Sequence, residues 1–248
     1  MLNMKKTLKL ILKNTESWCW AKNNPTIKRK GLKSVSNTYS NLVITLTGPS
    51  GTGKNTVSNM VMERDEKVKY FITATTREPR SYEKEGVDYY FLTKEEFEKR
   101  LDEDAFLEWS RHYGNYYGAL KEELHKKMQA GFDPHTDITY SGAKAIRDYM
   151  PENTITILLM PPSLEALDER MAKRKKISGE QDDQQRVRLQ KVREDMIHWK
   201  DPEYIFTNDD MKGSKLSDYD YVVVNRDVEE AVQNILDILR VERQKREF

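Results

Sequence analysis

Three glycines and a lysine are spaced as Gly-x4-Gly-Lys near the start of the chain, in the segment Gly48–Lys54. Glycines let successive backbone N–H groups point inward at phosphate oxygens, and a following helix adds its positive N-terminal end. The Lys54 side chain would place a mobile positive charge at the β and γ phosphates of a nucleotide. The segment predicts a nucleoside triphosphate site lined by Gly48, Ser50, Gly51, Thr52, Gly53, Lys54, Asn55 and Thr56.

The surrounding sequence supplies the elements that such a loop needs. Leu42–Thr47 is a β-branched run that predicts a buried strand, and a helical stripe begins behind the loop at Val57. Two further strand–helix units are predicted, with their strands at Thr154–Met160 and Asp220–Val224. Strands that alternate with helices in this way predict an α/β fold with a parallel sheet flanked by helices.

One position of the loop departs from the usual pattern. Ser or Thr normally follows the lysine and offers a hydroxyl to Mg²⁺, whereas this chain has Asn55. An amide carbonyl can still coordinate the ion, so Asn55 stays a candidate metal ligand with Mg²⁺ as the expected cofactor. Thr56 lies about 100° further around a helix and is a poor substitute.

A second group of residues could clamp the phosphate of a monophosphate. Arg77 and Arg80 offer two guanidinium forks of a shape suited to phosphate oxygens. Tyr89 and Tyr117 could donate phenolic hydroxyls to the same group. Taken alone, two arginines and two tyrosines would be read as ordinary surface and core.

The motifs that contain these residues resemble those of guanylate kinases. In chain order they read T-A-T-T-R-E-P-R from Thr73, then E-x-x-G-x-D-Y-Y-F, F-L-E-W and G-N-Y-Y-G. The matched order runs from Gly48 to about Asn225. The resemblance implies a P-loop kinase core with a parallel sheet, a small mixed β subdomain that binds the nucleoside monophosphate, and a helical lid.

The same resemblance implies a reaction and its residues. ATP and GMP would be the substrates, with Mg²⁺ assisting phosphoryl transfer to GMP and dGMP. Glu108 would accept hydrogen bonds from the guanine N1–H and 2-amino groups, Thr73 would donate to O6, and neighbouring Trp109 is expected to pack in the core. The implied GMP-binding residues are Thr73, Arg77, Arg80, Tyr89, Glu108, Tyr117 and Thr139.

The resemblance also implies three arginines on a lid that closes over ATP. Arg170 and Arg174 are four apart on one predicted helix face, and Arg188 follows in a second helical stretch. Phosphoryl transfer depends on positioning and on charge neutralisation, which these side chains would supply. The implied catalytic residues are Lys54, Arg77, Arg170, Arg174 and Arg188. Asn225 either contacts the adenine ring or is only a turn residue before the last helix.

Several positions depart from the family pattern. Ala119 stands where Ser or Thr gives a second contact to the base, and Thr139 replaces the second of two aspartates, leaving Asp137 as a candidate metal ligand. Pro134 would remove a hydrogen-bond donor from the strand before Asp137. These changes leave two alternatives open: a kinase of relaxed base specificity, or a catalytically weak guanylate kinase-like binding module.

The first 40 residues differ in charge from the rest. They carry nine basic residues and one acidic residue, whereas the remainder carries 33 basic and 40 acidic residues. We expect residues 1–40 to be a flexible basic extension, with an organelle-targeting segment as the alternative. Residues 41–246 are expected to form the guanylate kinase-like domain, with its monophosphate-binding part at about 71–128, its lid at about 171–196 and a surface-loop insertion at about 197–218.

Composition limits the location and the partners. The single cysteine, Cys19, excludes an internal disulfide and suits a reducing compartment. No apolar run reaches the roughly 18 residues of a membrane span. We therefore expect a cytoplasmic protein with no membrane partner and no nucleic-acid partner; the oligomeric state is left open.

Overall fold

The computed structural model describes residues 39–80, 82–112, 114–178, 182–201 and 203–246. The side chains of 112 and 173–188 lie outside this description. The basic extension expected at residues 1–40 also lies outside it, except for its last two residues.

A parallel sheet forms the centre of the fold. Its five strands lie in the order β2-β7-β1-β8-β9, and each neighbouring pair is parallel. The strands are β1 Val43–Thr47, β2 Val68–Tyr70, β7 Asp133–Asp137, β8 Thr154–Met160 and β9 Tyr221–Val224. The three strands predicted at Leu42–Thr47, Thr154–Met160 and Asp220–Val224 are therefore confirmed within a residue of each end.

Helices cover both faces of this sheet, which explains why the central strands β1 and β8 are buried along their whole length. One core cluster joins α1 and α7 to alternate residues of β1, such as Ile44 and Leu46. On the other face Val43 packs with residues of α3 and α4. The helices are α1 Lys54–Arg64, α2 Lys94–Asp102, α3 Lys121–Gln129, α4 Tyr140–Tyr149, α5 Leu164–Ser178, α6 Asp182–His198 and α7 Val228–Arg246.

Local capping places the helices that follow the strands. The hydroxyl of Ser163 accepts from the N–H of Ala166 at 3.2 Å, at the start of α5. The carboxylate of Asp227 accepts from the N–H groups of Glu229 and Glu230 at 2.9 and 3.1 Å, at the start of α7. Both caps satisfy donors that a helix leaves unpaired at its first turn.

A smaller mixed sheet stands beside the parallel one. Its order is β4-β3-β6-β5, with β3 and β4 parallel and the other pairs antiparallel. Phe97 of α2 stacks on Phe106 with ring centroids 4.3 Å apart, and this contact closes its core. The strands are β3 Ala74–Thr75, β4 Tyr90–Phe91, β5 Phe106–His112 and β6 Asn115–Leu120.

The segment with Pro134 forms a strand despite its proline. Asp133 and His135 make backbone hydrogen bonds toward β2, at 2.8 and 2.7 Å. Pro134 lies between them and faces β1, where pairing begins only at Ile44 with His135. The missing N–H therefore falls at the start of the β1–β7 ladder, where the loss of one hydrogen bond destabilises the sheet least. The strand ends at Asp137, which lies at the carboxyl edge of the sheet.

Residues 197–218, called the insertion below, are expected to be a surface loop; most of the described segment is irregular, but several of its side chains are buried. Trp199, Phe206 and Met211 are buried in one core cluster with α5, α6 and β8. A short 3-10 turn, Leu216–Asp218, ends the segment. Packing of large apolar side chains fixes the insertion to the rest of the domain.

A buried ion-pair network ties the C-terminal helix to the sheet. Arg243 of α7 donates to the carboxylates of Asp133 and Asp65, each at 2.7 Å. Asp133 is fully buried and also accepts from the N–H of Leu42 at 2.9 Å.

In the described part of the chain, no helix is both long and apolar enough to cross a bilayer.

Candidate active site

The phosphate loop, Gly48–Lys54, joins β1 to α1 as the sequence predicts. A Cβ at Gly48 would lie 2.2 Å from the carbonyl oxygen of Leu159, a contact that no side chain can make. Gly51 has φ +87°, in the left-handed region that favours glycine. Two of the loop glycines are thus required by close packing against β8 and by backbone conformation.

The Lys54 ammonium group lies over its own loop. Its Nζ donates to the carbonyl oxygen of Gly48 at 2.7 Å. It also lies 3.9 Å from a carboxylate oxygen of Asp137 and 4.0 Å from one of Asp210. Burial raises the pKa of Asp137 to about 6, Lys54 opposes that rise, and Asp210 adds to it.

An open cleft of about 600 Å³ lies over the loop. Asp137 and Asn55, the two candidate metal ligands, both line it, and so do Arg170 and Asn225. The complete lining is Ser50, Gly51, Gly53, Lys54, Asn55, Thr56, Asp137, Arg170, Asn225 and Val228. Most of the residues predicted from the triphosphate-binding pattern therefore surround one space.

Arg170 and Asn225 meet at a single carbonyl oxygen of the loop. Arg170 donates to Thr52 O at 3.1 Å and to Asn225 O at 2.8 Å. The Asn225 side chain donates to the same Thr52 O at 2.7 Å. Both residues thus fix the loop to α5 and to the end of β9. Arg174 and Arg188 belong to α5 and α6, and their side chains lie outside the described part.

In the second predicted site, Arg77 is held by a carboxylate. Its guanidinium donates to both oxygens of Glu83, at 2.8 and 3.0 Å. This hydrogen bonding holds the pKa of Glu83 below its usual range. Arg80 donates from its backbone N–H to the same carboxylate at 2.8 Å and from its side chain to Tyr82 at 2.9 Å. Glu83 therefore organises the pair of arginines.

Tyr89 and Tyr117 gather around Arg77. Their ring centroids lie 6.3 Å apart, and the Arg77 guanidinium lies 5.6 Å from the centroid of Tyr89. Hydrogen bonding to Glu83 raises the pKa of Arg77, and hydrogen bonding to Tyr117 adds to that rise. Three of the four residues expected to bind the acceptor phosphate thus lie together, and Arg80 is linked to them through Glu83.

Glu108 lies on β5 against the first turn of α4. A Cβ built on Gly142 would lie 3.3 Å from the carboxyl carbon of Glu108. Burial raises the pKa of Glu108 to about 7. Ala119 lies opposite Glu108 in the strand pairing and is fully buried. Trp109, which the sequence analysis expects in the core, is half exposed, because strand alternation turns it away from the face of Glu108.

The remaining predicted residues lie at the borders of these groups. Thr73 directly precedes β3, and its carbonyl accepts from the N–H of Tyr90 at 2.9 Å. Thr139 is the N-cap of α4, where its hydroxyl accepts from the N–H of Gly142 at 3.4 Å and lies 3.0 Å from Ser141 Oγ. At this position Thr139 serves helix geometry, which an aspartate could also do.

Sequence reasoning missed two carboxylates of the site. Glu83 lies inside the recognised motif region, six residues after Arg77, and an (i, i+6) spacing carries no periodic signal. Asp210 comes from the insertion, and nothing in the sequence places it beside Lys54. Among the described residues, no group of three or more His, Cys, Asp or Glu could hold a metal ion by itself.

Comparisons with known proteins agree with this geometry. The family model described as guanylate kinase matches residues 40–216. A guanylate kinase of Hyphomonas neptunium is 36% identical over 205 residues, covering 83% of this chain and 85% of that protein. One of Agrobacterium fabrum is 33% identical over 226 residues, covering 91% and 89%.

A solved structure agrees as well. The crystal structure of guanylate kinase from Anaplasma phagocytophilum matches with a TM-score of 0.57 and 28% identity, covering 82% of this chain and 86% of that one. The motif order, the phosphate loop with its cleft and these matches lead to one assignment: the chain belongs to the guanylate kinase family.

Proposed function

We propose that this protein transfers the γ-phosphoryl group of ATP to GMP and that the residues described above carry out the transfer. The observation that supports this most directly is the short segment from Asp137 to Gly142. Asp137, at its start, lies beside the phosphate-loop lysine. Gly142, at its end, packs against Glu108. Six residues of chain thus connect the triphosphate site to the predicted guanine-binding residue, which supports two neighbouring nucleotide sites of the kind that direct transfer needs.

ATP would be held mainly by the phosphate loop. Backbone N–H groups of the loop and the N-terminus of α1 would bind phosphate oxygens. On binding, Lys54 would exchange its contact with Gly48 O for the β and γ phosphates. Asn225, at the edge of the cleft, would lie beside the adenine ring.

GMP would be held through its phosphate and its base. Arg77, Arg80, Tyr89 and Tyr117 would bind the phosphate, and this requires Arg77 to share or leave its contacts with Glu83. Glu108 would accept from the guanine N1–H and 2-amino groups, with Thr73 donating to O6. A buried carboxylate gives strong discrimination, because a base without those donors leaves it unpaired.

Closure of the lid would complete the site. Arg170 already lies at the cleft, while Arg174 and Arg188 occupy the helices that follow. Their charge would stabilise the transferring group, and closure would exclude water that could otherwise hydrolyse ATP.

The residues of the cleft fit a magnesium ion. Asp137 offers a carboxylate and Asn55 an amide oxygen, and both line the space above Lys54. Oxygen donors of this kind are those that Mg²⁺ prefers, with water and phosphate completing the coordination. When bound, the ion would neutralise charge on the β and γ phosphates.

The alternatives are less well supported. Relaxed base specificity rests on Ala119 and Thr139, yet Glu108 keeps a half-buried position on β5 beside Gly142. A weak binding module rests on Asn55, yet the phosphate loop and Lys54 are intact. The named relatives are guanylate kinases, which favours a GMP-specific kinase over both the kinase of relaxed specificity and the binding module. A cytoplasmic location is part of this proposal, because the single cysteine suits a reducing compartment.

The test is ADP formation with Mg²⁺, ATP and each of GMP, AMP, CMP and UMP, with Lys54→Ala as the control. We expect turnover with GMP alone, reduced by at least about 10²-fold in Lys54→Ala, because the lysine stabilises transition-state charge. Similar rates with several bases would support relaxed specificity. No turnover by a folded protein that still binds GMP would refute the kinase.

A further inference from the structure

The insertion places a second carboxylate at the phosphate-loop lysine. Asp210 Oδ2 lies 4.0 Å from Lys54 Nζ, nearly the same distance as the 3.9 Å from Asp137 Oδ1. The side chain of Lys54 is only 14% exposed, so solvent screens these pairs less than surface pairs. The insertion therefore adds a negative charge where ATP must place its own.

The position of Asp210 is fixed from both sides. Its backbone N–H donates to Asn208 Oδ1 at 3.1 Å, and its carbonyl accepts from the N–H of Tyr140 at 2.8 Å. Asn208 in turn donates to the buried carboxylate of Asp195 from its backbone, at 2.8 Å, and from its side chain, at 2.6 Å. Asp210 thus belongs to a corner of the domain, around Asn208, whose conformation is fixed by hydrogen bonds.

Asp195 anchors this corner through further donors. Its carboxylate also accepts from the hydroxyl of Tyr204 at 2.8 Å and from Thr207, through the backbone N–H at 2.8 Å and the hydroxyl at 3.0 Å. A buried carboxylate with this many donors holds the loop in one conformation. The neighbouring Asp209 points elsewhere and pairs with Lys191 of α6 at 3.1 Å.

Geometry limits how far Asp210 can be from bound phosphate. A phosphate oxygen that accepts from Lys54 Nζ lies about 3 Å from it. With Lys54 in the observed position, that oxygen lies within about 7 Å of the Asp210 carboxylate, inside the screening length at physiological salt. Asp210 therefore repels the phosphates of free ATP, and it repels them much less when a divalent cation has reduced their charge.

We propose that Asp210 is a specificity-determining residue that makes this nucleotide site prefer magnesium-complexed ATP over free ATP. The inference rests on the proposed binding of ATP at the phosphate loop. Asp210 acts on charge, either by opposing uncomplexed phosphates at Lys54 or by attracting the cation that accompanies them.

The test is calorimetric binding of ATP with saturating Mg²⁺ and with EDTA, for the wild type, Asp210→Asn and Asp209→Asn. Both variants remove one negative charge from adjacent positions of the same loop. In Asp210→Asn we expect the ratio of the Kd for free ATP to the Kd for MgATP to fall about three- to tenfold. In Asp209→Asn the ratio should stay within twofold of the wild type, because that carboxylate faces Lys191.

The outcomes separate this inference from the proposed function. A ratio unchanged in Asp210→Asn, or lowered equally in both variants, would overturn the role of Asp210 while leaving the kinase proposal intact. Failure of the wild type to bind ATP in either condition would refute the proposed function itself. The expected difference between the variants should also shrink in 0.5 M salt, since screening weakens it.

Discussion

Glu108→Gln offers a direct test of guanine recognition. In the wild type the half-buried carboxylate of Glu108 would accept two hydrogen bonds from the base, and bonds to a charged group contribute about 1.5–3 kcal/mol each. The amide keeps one acceptor oxygen, but it faces the second donor of the base with an N–H₂ group. Loss of one charged bond and weakening of the other amount to about 3 kcal/mol, or roughly 10²-fold in kcat/KM for GMP.

The raised pKa of Glu108 adds a pH dependence. Only the carboxylate can accept both hydrogen bonds, and burial raises its pKa to about 7. Recognition is therefore complete well above pH 7 and lost as the pH falls through that value. Between pH 8 and pH 6 the ionised fraction falls about tenfold, so the advantage of wild type over Glu108→Gln should fall from roughly 10²-fold to roughly tenfold.

The assay is kcat/KM for GMP from pH 6 to pH 8 at constant ionic strength. The substrate phosphate also titrates near pH 6, but it does so equally with both enzymes. The ratio of kcat/KM for the wild type to kcat/KM for Glu108→Gln therefore reports the ionisation of Glu108 alone. Glu98→Gln is the matched control, since Glu98 is exposed, accepts from Tyr116 at 3.2 Å and pairs with Lys94 at 3.6 Å on the surface. A ratio independent of pH, or a variant within threefold of wild type, would refute this role for Glu108.

Two further changes test the fold around the site. Arg243→Ala removes the partner of the fully buried Asp133 and of the half-buried Asp65, so we expect a loss of about 3–5 kcal/mol in the free energy of unfolding by urea. Arg240→Ala, three residues earlier on the exposed face, should cost less than about 1 kcal/mol. Gly48→Ala places a Cβ against Leu159 O, so we expect ATP binding to be lost by calorimetry. In the control Gly131→Ala the new Cβ meets only open space, so ATP binding should be retained, although the positive φ should lower stability by about 1–2 kcal/mol. Equal ATP binding by the two glycine variants would contradict the packing argument.

The sequence predicts the central sheet well because its signals are local. Leu42–Thr47 and Thr154–Met160 are dense apolar runs bounded by turn residues, and such runs fold as strands in most contexts. The phosphate loop is equally local, since its glycines, its lysine and the following helix are contiguous. Arg77 and Tyr117 are far apart in sequence, and only the matched order of motifs predicts that they belong to one site.

The failures come from contacts between distant segments. The polar composition of the insertion predicts a surface loop, but Phe206 and Met211 pack in a core cluster with side chains of α5 and α6. Pro134 disfavours a central strand, but whether its missing donor matters depends on where the ladder with β1 begins. Trp109 illustrates a smaller error, since the side of a strand that faces solvent depends on its pairing.

The contacts of Arg170 determine how the lid can move. Arg170 donates to carbonyls of the phosphate loop and of the residue after β9, so this point of α5 is fastened at two places. The eight residues that follow Arg170, up to the end of α5 at Ser178, extend about 12 Å beyond it, given a rise of about 1.5 Å per residue. A rotation of about 20° around the fastened point would sweep its tip through about 4 Å. If α5 moves as the lid that we propose, Arg170 would be its pivot inside the nucleotide site, and its swing would be coupled to the shape of the phosphate loop.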